Sequence, residues 1–435
     1  MSPTKTDDIQ IDGTVAPGFE SVKQLFENQM QVLAERNAQL CVYHRGDMVV
    51  DLWGSAESDS RFSPSSLVNV FSSGKSLEAI AMAWLVSKGL LSYDAEITQY
   101  WPEFGAQGKD KLTVADLMRH EAGLANFDTS IDMEDLFAEQ IKQNAVGKLI
   151  EGHSLAYTSS DGGKREYHAL TRGWIANEVF RRVDPAGRTI GEFLREEISG
   201  PLNADVSIGV KEPDMERMSK VHDLGFGRQL LLSLRPKFLG RRIVHNIFQI
   251  LARLIRIVPS MAKSRRAGAP PPLTGMTNLN IFNEPNFAKG ETPSANATCS
   301  ARGLGKVAAM MSAGGKLEGR EFLSESAWKA MHEHPLKATM GGMLVTRFTQ
   351  GGVDCFTPIN NESTQAERDF NDGREGFYGW MGLGGSIFQW HPELDIGFAF
   401  VPTSLHTLDL FNERGKRYQA EVLNCVARIP KERPS

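Results

Sequence analysis

The apolar run Leu67-Val68-Asn69-Val70-Phe71 leads through Ser72-Ser73-Gly74-Lys75-Ser76 into a second apolar run, Leu77-Glu78-Ala79-Ile80-Ala81-Met82-Ala83-Trp84-Leu85-Val86. The first has the length and residue types of a strand, and the second those of a helix that is hydrophobic nearly all round. Both must be buried, so the turn between them lies inside the fold. A helix starting at this turn sets Lys75 three residues beyond Ser72 on one face, within reach of the Ser72 Oγ, and turns Ser73 away. The helix amino terminus adds partial positive charge and free N–H groups, which favour an oxyanion and disfavour a protonated lysine. A lysine at its ordinary pKa costs about 4.6 kcal/mol to deprotonate at pH 7, so Lys75 must be desolvated or lie near other cations to act as a base. Two readings stay open: Ser72 caps the helix, which is the simpler, or Ser72 is a nucleophile and Lys75 its base. The same spacing recurs at Ser2 and Lys5, Ser260 and Lys263, and Ser326 and Lys329. These fall in a polar tail, a basic loop and a solvent-facing helix, where chance explains them.

With 435 residues the chain is long enough for one large domain with an inserted subdomain, or for two domains. A formal net charge of -5 leaves no electrostatic footprint for nucleic acid. Cys41, Cys299, Cys355 and Cys425 stand far apart, so neither a metal site nor a disulfide frame is expected. The polar start, Met1-Ser2-Pro3-Thr4-Lys5-Thr6-Asp7-Asp8, lacks signal- or transit-peptide character and points to a cytoplasmic protein. No uncharged apolar run reaches the roughly 18 to 20 residues of a membrane span.

Periodicity sorts the rest of the chain. Residues 1–15 read as a polar tail. Phe19, Val22, Leu25, Phe26, Met30 and Leu33 recur at helical spacing, and the runs 38–43 and 48–54 flank His44-Arg45-Gly46-Asp47 as a hairpin. From Asp94 to about residue 290 the pattern is mostly helical, with Thr113 as an N-cap, Gly123 as a stop, and helices over 133–149, 170–182 and 190–198. After Ser300 come a helix through Leu304, Val307 and Met310, another near 325–333, strands at 341–345 and 351–356, two strands around His391-Pro392-Glu393, and a closing helix over 408–426. Strands at both ends with helices between them predict an α+β fold. Residues 16–93 and 291–435 build an antiparallel sheet flanked by terminal helices, and residues 94–290 are inserted as a mostly helical subdomain.

Residues 228–266 are a compositional anomaly, with ten Lys or Arg and no Asp or Glu. Within them Ile243, Val244, Ile247, Phe248, Leu251, Leu254, Ile255 and Val258 form an apolar stripe opposite Arg242, His245, Asn246, Gln249, Arg253 and Arg256. Such a segment can be a lid or a packed subdomain helix, the favoured reading, or a peripheral contact with an anionic membrane or a partner.

Six separated stretches then fall in one family order: Asp51-Leu52-Trp53-Gly54, Ser72-x-x-Lys75, Tyr100-Trp101-Pro102-Glu103-Phe104, Thr113 to Leu124, Tyr167-His168-Ala169-Leu170-Thr171-Arg172-Gly173-Trp174, and Gly382-Leu383-Gly384-Gly385-Ser386. In these the chain resembles the serine β-lactamase-like hydrolases, which include penicillin-binding proteins and class C β-lactamases, and most of all the esterases that share their fold. The resemblance spans about residues 13–405 and moves Ser72 from cap to nucleophile. It implies that Tyr167 is the second-motif tyrosine, whose phenol helps Lys75 take the serine proton. Ala169 departs from the family's asparagine or serine at that spacing, and Tyr157-Thr158-Ser159 fits the bare pattern without its flanks.

The family's third motif, Lys-Thr-Gly, corresponds to Trp380-Met381-Gly382. A tryptophan there resembles the esterase branch and implies neutral acyl esters over anionic β-lactams or D-alanyl peptides; Trp380 can equally be a core aromatic of its strand. By the same resemblance the N–H groups of Ser72 and Leu383 bind the oxyanion, Gly382, Gly384 and Gly385 keep the strand edge open, and no metal or organic cofactor is called for. The implied function is a serine hydrolase, a carboxylesterase acting on small neutral esters through a Ser72 acyl-enzyme. Alternatives are an acyltransferase or peptidase of the same fold, and a non-catalytic descendant that binds a partner or membrane through residues 228–266.

Overall fold

The structure, a computed structural model, describes residues 9–56, 59–156, 165–264, 270–340 and 344–429. The elements that build and position the site are, in chain order, β1 (Gln10–Val15), α1 (Glu20–Val32), β2 (Asn37–His44), β3 (Asp47–Ser55), α2 (Lys75–Ser87), α3 (Thr171–Val183), α4 (Ile247–Ser264), α5 (Ala301–Ser312), β4 (Leu336–Met340), β5 (Leu344–Phe348), β6 (Asp354–Cys355), β7 (Tyr378–Met381), β8 (Ile387–His391), β9 (Ile396–Pro402) and α6 (Glu413–Arg428). The nine strands form one antiparallel sheet in the order β1-β3-β2-β9-β8-β7-β6-β5-β4. The last strand thus returns to pair with the first hairpin, Phe398 opposite Val42 and Phe400 opposite Leu40. This is the α+β arrangement expected.

Period-2 alternation divides the sheet's side chains between two cores. Leu40, Val42, Phe398 and Phe400 face α1 and α6, packing with Val22, Phe26, Tyr418 and Val422. Their neighbours Cys41, Ala399 and Val401 join the other core, which contains Leu304, Val307 and Ala308 of α5 and most of the apolar residues of α2. Helix α5 lies unusually close to the sheet: a Cβ on Gly397 would collide with the backbone of Ala308 and Ala309, and one on Gly305 with Cys41.

Several elements differ from expectation. Residues 10–15 are an edge strand paired in register with β3, Gln10 opposite Ser55, instead of part of a tail; half-buried Ile11 and Val15 alternate with exposed neighbours and pack on the α1 core. The helix expected over 133–149 is broken into Met133–Leu136, Ala138–Lys142 and Ala145–Gly152, because Phe137 is in extended backbone and Asn144 sits in the left-handed region at φ 68°. Thr113 does cap a helix, with a reciprocal bond to Asp116, but that helix ends at Met118. Within 376–403 there are three strands, β7 as well as the pair around His391. The motif alternative Tyr157-Thr158-Ser159 and residues 341–343 lie outside the described residues.

In the basic segment the helices are Phe226–Ser233 and α4, so Ile243 and Val244 precede the long helix and are buried as loop residues. Ile250 packs with Ile243 and Leu408, Arg253 stacks on Phe411 at 4.6 Å, and Gln229 Oε1 takes the N–H of Leu408. These contacts seat α4 on the connection between β9 and α6.

Candidate active site

The strand before the nucleophile candidate is short and pinned. Leu67–Asn69 pairs antiparallel with Thr298–Cys299 and parallel with Met218–Ser219, and it stops because the Asn69 side chain takes the Phe71 N–H at 2.7 Å. Phe71 then adopts φ 49°, a left-handed conformation that is strained for an aromatic residue and persists only where surroundings enforce it. Its ring is clamped against Phe282, 4.7 Å between centroids. A 3₁₀ turn over Phe71–Gly74 follows and α2 begins at Lys75 with Gly74 at its N-cap. No side-chain cap bond exists at either start, so Ser72 is not a helix cap.

Ser72 is half-buried and Ser73 is fully buried, facing Ser386 at 3.0 Å between hydroxyl oxygens. Lys75 is fully buried. Its Nζ donates to the carbonyls of Ala169 at 2.7 Å and Ser294 at 2.9 Å and lies 3.5 Å from Ser72 Oγ. Burial, and then the Arg172 guanidinium, hold Lys75 well below the ordinary lysine pKa, against a smaller opposing pull from Glu78. A neutral amine has two N–H groups and one lone pair. In that form, with both N–H groups given to the two carbonyls, the lone pair would face the serine hydroxyl.

Tyr167 closes the third side. Its phenol oxygen accepts the Trp380 indole N–H at 3.0 Å, and its ring lies 4.8 Å from Lys75 Nζ. Burial raises the phenol pKa, with the nearby Ser72 hydroxyl and the Trp380 indole opposing this, so the phenol stays protonated at neutral pH. Trp380 is only 3% exposed and packs among Phe348 and Phe370; it backs the tyrosine and presents almost no surface to a substrate.

The β7–β8 turn closely approaches the turn that carries Ser72. A Cβ on Gly382 would overlap both Ser386 Oγ and the Val70 carbonyl oxygen, so only glycine fits there. Ser386 Oγ donates to that Val70 carbonyl at 2.7 Å, and Asn412 Nδ2 holds the carbonyls of Gly382 and Ser386 at 3.0 Å each. Leu383 stands at the mouth with its side chain 40% exposed.

Beneath the lysine lies a polar network that motif reading missed. Arg172 is fully buried, pairs with Glu78 at 2.7 Å, and donates to the carbonyls of Met118, Gly352 and Lys75. The other Glu78 oxygen accepts from Ser294 Oγ at 2.7 Å. His120, kept neutral by burial, packs on Tyr167 at 4.9 Å. One signal was available: Glu78 is the lone charge within the apolar run 77–86, and a carboxylate buried there must have a partner. Among the described residues no cluster of three or more His, Cys, Asp or Glu is placed to hold a metal ion.

The fold agrees with the comparisons to known proteins. The chain belongs to the Beta-lactamase family, whose model matches residues 22–422, and is a β-lactamase-related serine hydrolase. It is 27% identical over 405 residues to the "Esterase/beta-lactamase LipL" of Mycobacterium tuberculosis, covering 91% of this chain and 83% of that protein. Among solved structures it resembles a family VIII carboxylesterase, with a TM-score of 0.74 and 24% identity over 96% of this chain and 100% of that one. A penicillin-binding protein homologue from Caulobacter crescentus is also similar, with a TM-score of 0.72, 24% identity and the same coverage.

Proposed function

We propose that this protein is a carboxylesterase that acts on small neutral esters through an acyl-enzyme on Ser72. The observation that carries the reading is Lys75, fully buried, its pKa lowered by burial and the Arg172 guanidinium, and its Nζ 3.5 Å from Ser72 Oγ. Ser72 Oγ attacks the ester carbonyl carbon while its proton passes to Lys75. The bond to the alcohol oxygen then breaks as Tyr167 gives that oxygen a proton and is resupplied from Lys75. Water attacks the acyl carbonyl with the same groups as base, and Ser72 leaves with its proton restored. The N–H groups of Ser72 and Leu383 are the proposed oxyanion donors. A non-catalytic descendant would have no use for a lysine whose burial costs several kcal/mol.

Two features support neutral, small substrates. The strand position where an anion-binding lysine stands in the lactamases holds Trp380, turned to Tyr167. A recess of about 50 Å³, walled by Phe127, Leu170, Trp174 and Pro272, lies beside Ala169, whose carbonyl holds Lys75, and we take it as room for a short apolar group. The esterase naming of the M. tuberculosis relative supports the same class.

The test is labelling with a fluorophosphonate followed by peptide mapping, alongside turnover of p-nitrophenyl acetate and of nitrocefin by wild type and Ser72→Ala. Label on Ser72 and loss of ester turnover in the variant are expected. Label on another serine would reject the nucleophile, and nitrocefin turned over faster than the ester would reject the substrate class.

A further inference from the structure

A cavity of about 840 Å³, separate from the Ser72 site, opens between the end of α1 and the basic segment. Its lining carries Arg36, Arg228, Lys237, Arg241 and Arg242. The acidic groups on its wall are Glu35, which pairs with Arg414, and Asp223, which accepts the Gly225 N–H at 2.9 Å. The cavity is therefore strongly positive in a chain whose net charge is -5.

Apolar side chains border these cations. Phe226 and Leu231 are exposed on the helix that carries Arg228, and Phe238, next to Lys237, is 85% exposed. On α4, Phe248 at 78% exposed, Leu251 and Ile255 recur at i, i+3 and i+7 and so share one outward face. The opposite face of α4 is already occupied, with Ile250 and Leu254 packed in a cluster with Leu408. Among the described residues nothing packs on this outward face, and none of their helices is long and apolar enough to cross a bilayer.

We propose that this face docks on an anionic lipid surface, with the exposed apolar side chains entering the interface and the cationic cavity receiving lipid phosphate groups. Charge decides the occupant. A second copy of the chain would, across a two-fold interface, set the same cations against themselves, whereas an acidic lipid layer complements them and accepts apolar side chains beside them. One turn links the cavity to the Ser72 site: Asn280 of Leu279–Asn283 lines the cavity, and Phe282 of the same turn packs on Phe71, which precedes Ser72. Resting on the esterase reading above, esters dissolved in such a surface are the substrates this placement would deliver.

The full chain is sedimented with phosphatidylcholine vesicles, with and without phosphatidylglycerol. Binding only when phosphatidylglycerol is present is expected, weakening with added salt. Lys237→Gln and Arg228→Gln should each lower partition on the order of fivefold, and Phe238→Ser and Phe248→Ser each about tenfold. Ser72→Ala should bind vesicles as wild type does, which separates this result from the fate of the hydrolase reading. Circular dichroism checks that each variant is folded. Four outcomes would overturn the proposal: no vesicle binding, equal binding to phosphatidylcholine alone, binding unmoved by these variants, or a concentration-dependent dimer dissolved by Phe248→Ser in a protein that ignores vesicles. Binding of glycerol 3-phosphate without vesicle binding would likewise reassign the cavity to a free phosphate ester.

Discussion

Replacing Trp380 by Phe tests how the site works. The substitution removes the indole N–H that Tyr167 accepts at 3.0 Å and keeps an aromatic ring against Phe348. A neutral hydrogen bond of this kind is worth about 1 kcal/mol net. If it serves only to hold the phenol where Ser72 needs it, kcat should fall about fivefold. KM should not move, since a side chain 3% exposed offers a substrate almost nothing. The smaller ring leaves a void that costs about 1–2 kcal/mol of stability, readable by urea unfolding. The pH profile supplies an independent sign. Tyr167 works protonated, so activity falls as pH rises through its pKa, which burial has already raised. The Trp380 bond pulls that pKa down, so losing it should move the alkaline limb to higher pH. Steady-state kinetics on p-nitrophenyl acetate across pH reads all three quantities. A raised KM with unchanged kcat would show that the indole is a wall of the substrate site, and an alkaline limb moving down would refute the role given to Tyr167.

On the acid side, Lys75 must be unprotonated, and burial with Arg172 lowers its pKa; kcat/KM should therefore rise with pH and level off well below the ordinary lysine value of about 10.4, and a limb at that value would contradict the assignment. Gly382→Ala, whose Cβ has nowhere to go between Ser386 and Val70, should displace the Leu383 N–H and cut kcat/KM by about 10²–10³, the loss seen when an oxyanion donor is removed; full activity in a folded variant would show that this turn is not part of the site. Glu78→Gln strips the charge from the partner of buried Arg172 and should lower unfolding free energy in urea by about 3–5 kcal/mol. Because Glu78 raises the Lys75 pKa, the acid limb of the same variant should move to lower pH, and a shift upward would exclude the network as drawn.

What the sequence discloses follows the range of the interactions involved. The turn at Ser72 is legible because two fully apolar runs meet there and burial leaves no other option. The helices α1 and α6 are legible because one-sided burial writes a period into the chain, and the hairpin of β2 and β3 because two strand-like runs flank His44-Arg45-Gly46-Asp47. Edge strand β1 is hidden because a strand covered on one side by half-buried residues carries little apolar alternation. The break at Asn144 is hidden because a single left-handed residue interrupts a periodicity that continues past it. In the site, Lys75 follows from spacing and Tyr167 from resemblance. The Arg172–Glu78–Ser294 network and the Trp380 bond join residues 94 to 216 positions apart, and nothing in local pattern announces such pairings.

The serine hydroxyl of residue 386 touches both the carbonyl of Val70 and the hydroxyl of Ser73, fastening two strips of chain 313 positions apart. The Ser72 turn and the turn proposed to hold the oxyanion are thereby riveted together independently of most of what the chain does between them. Loops in that long interval can be lengthened, shortened or reshaped by drift, altering which molecules are admitted, while the spacing of the reacting groups stays fixed.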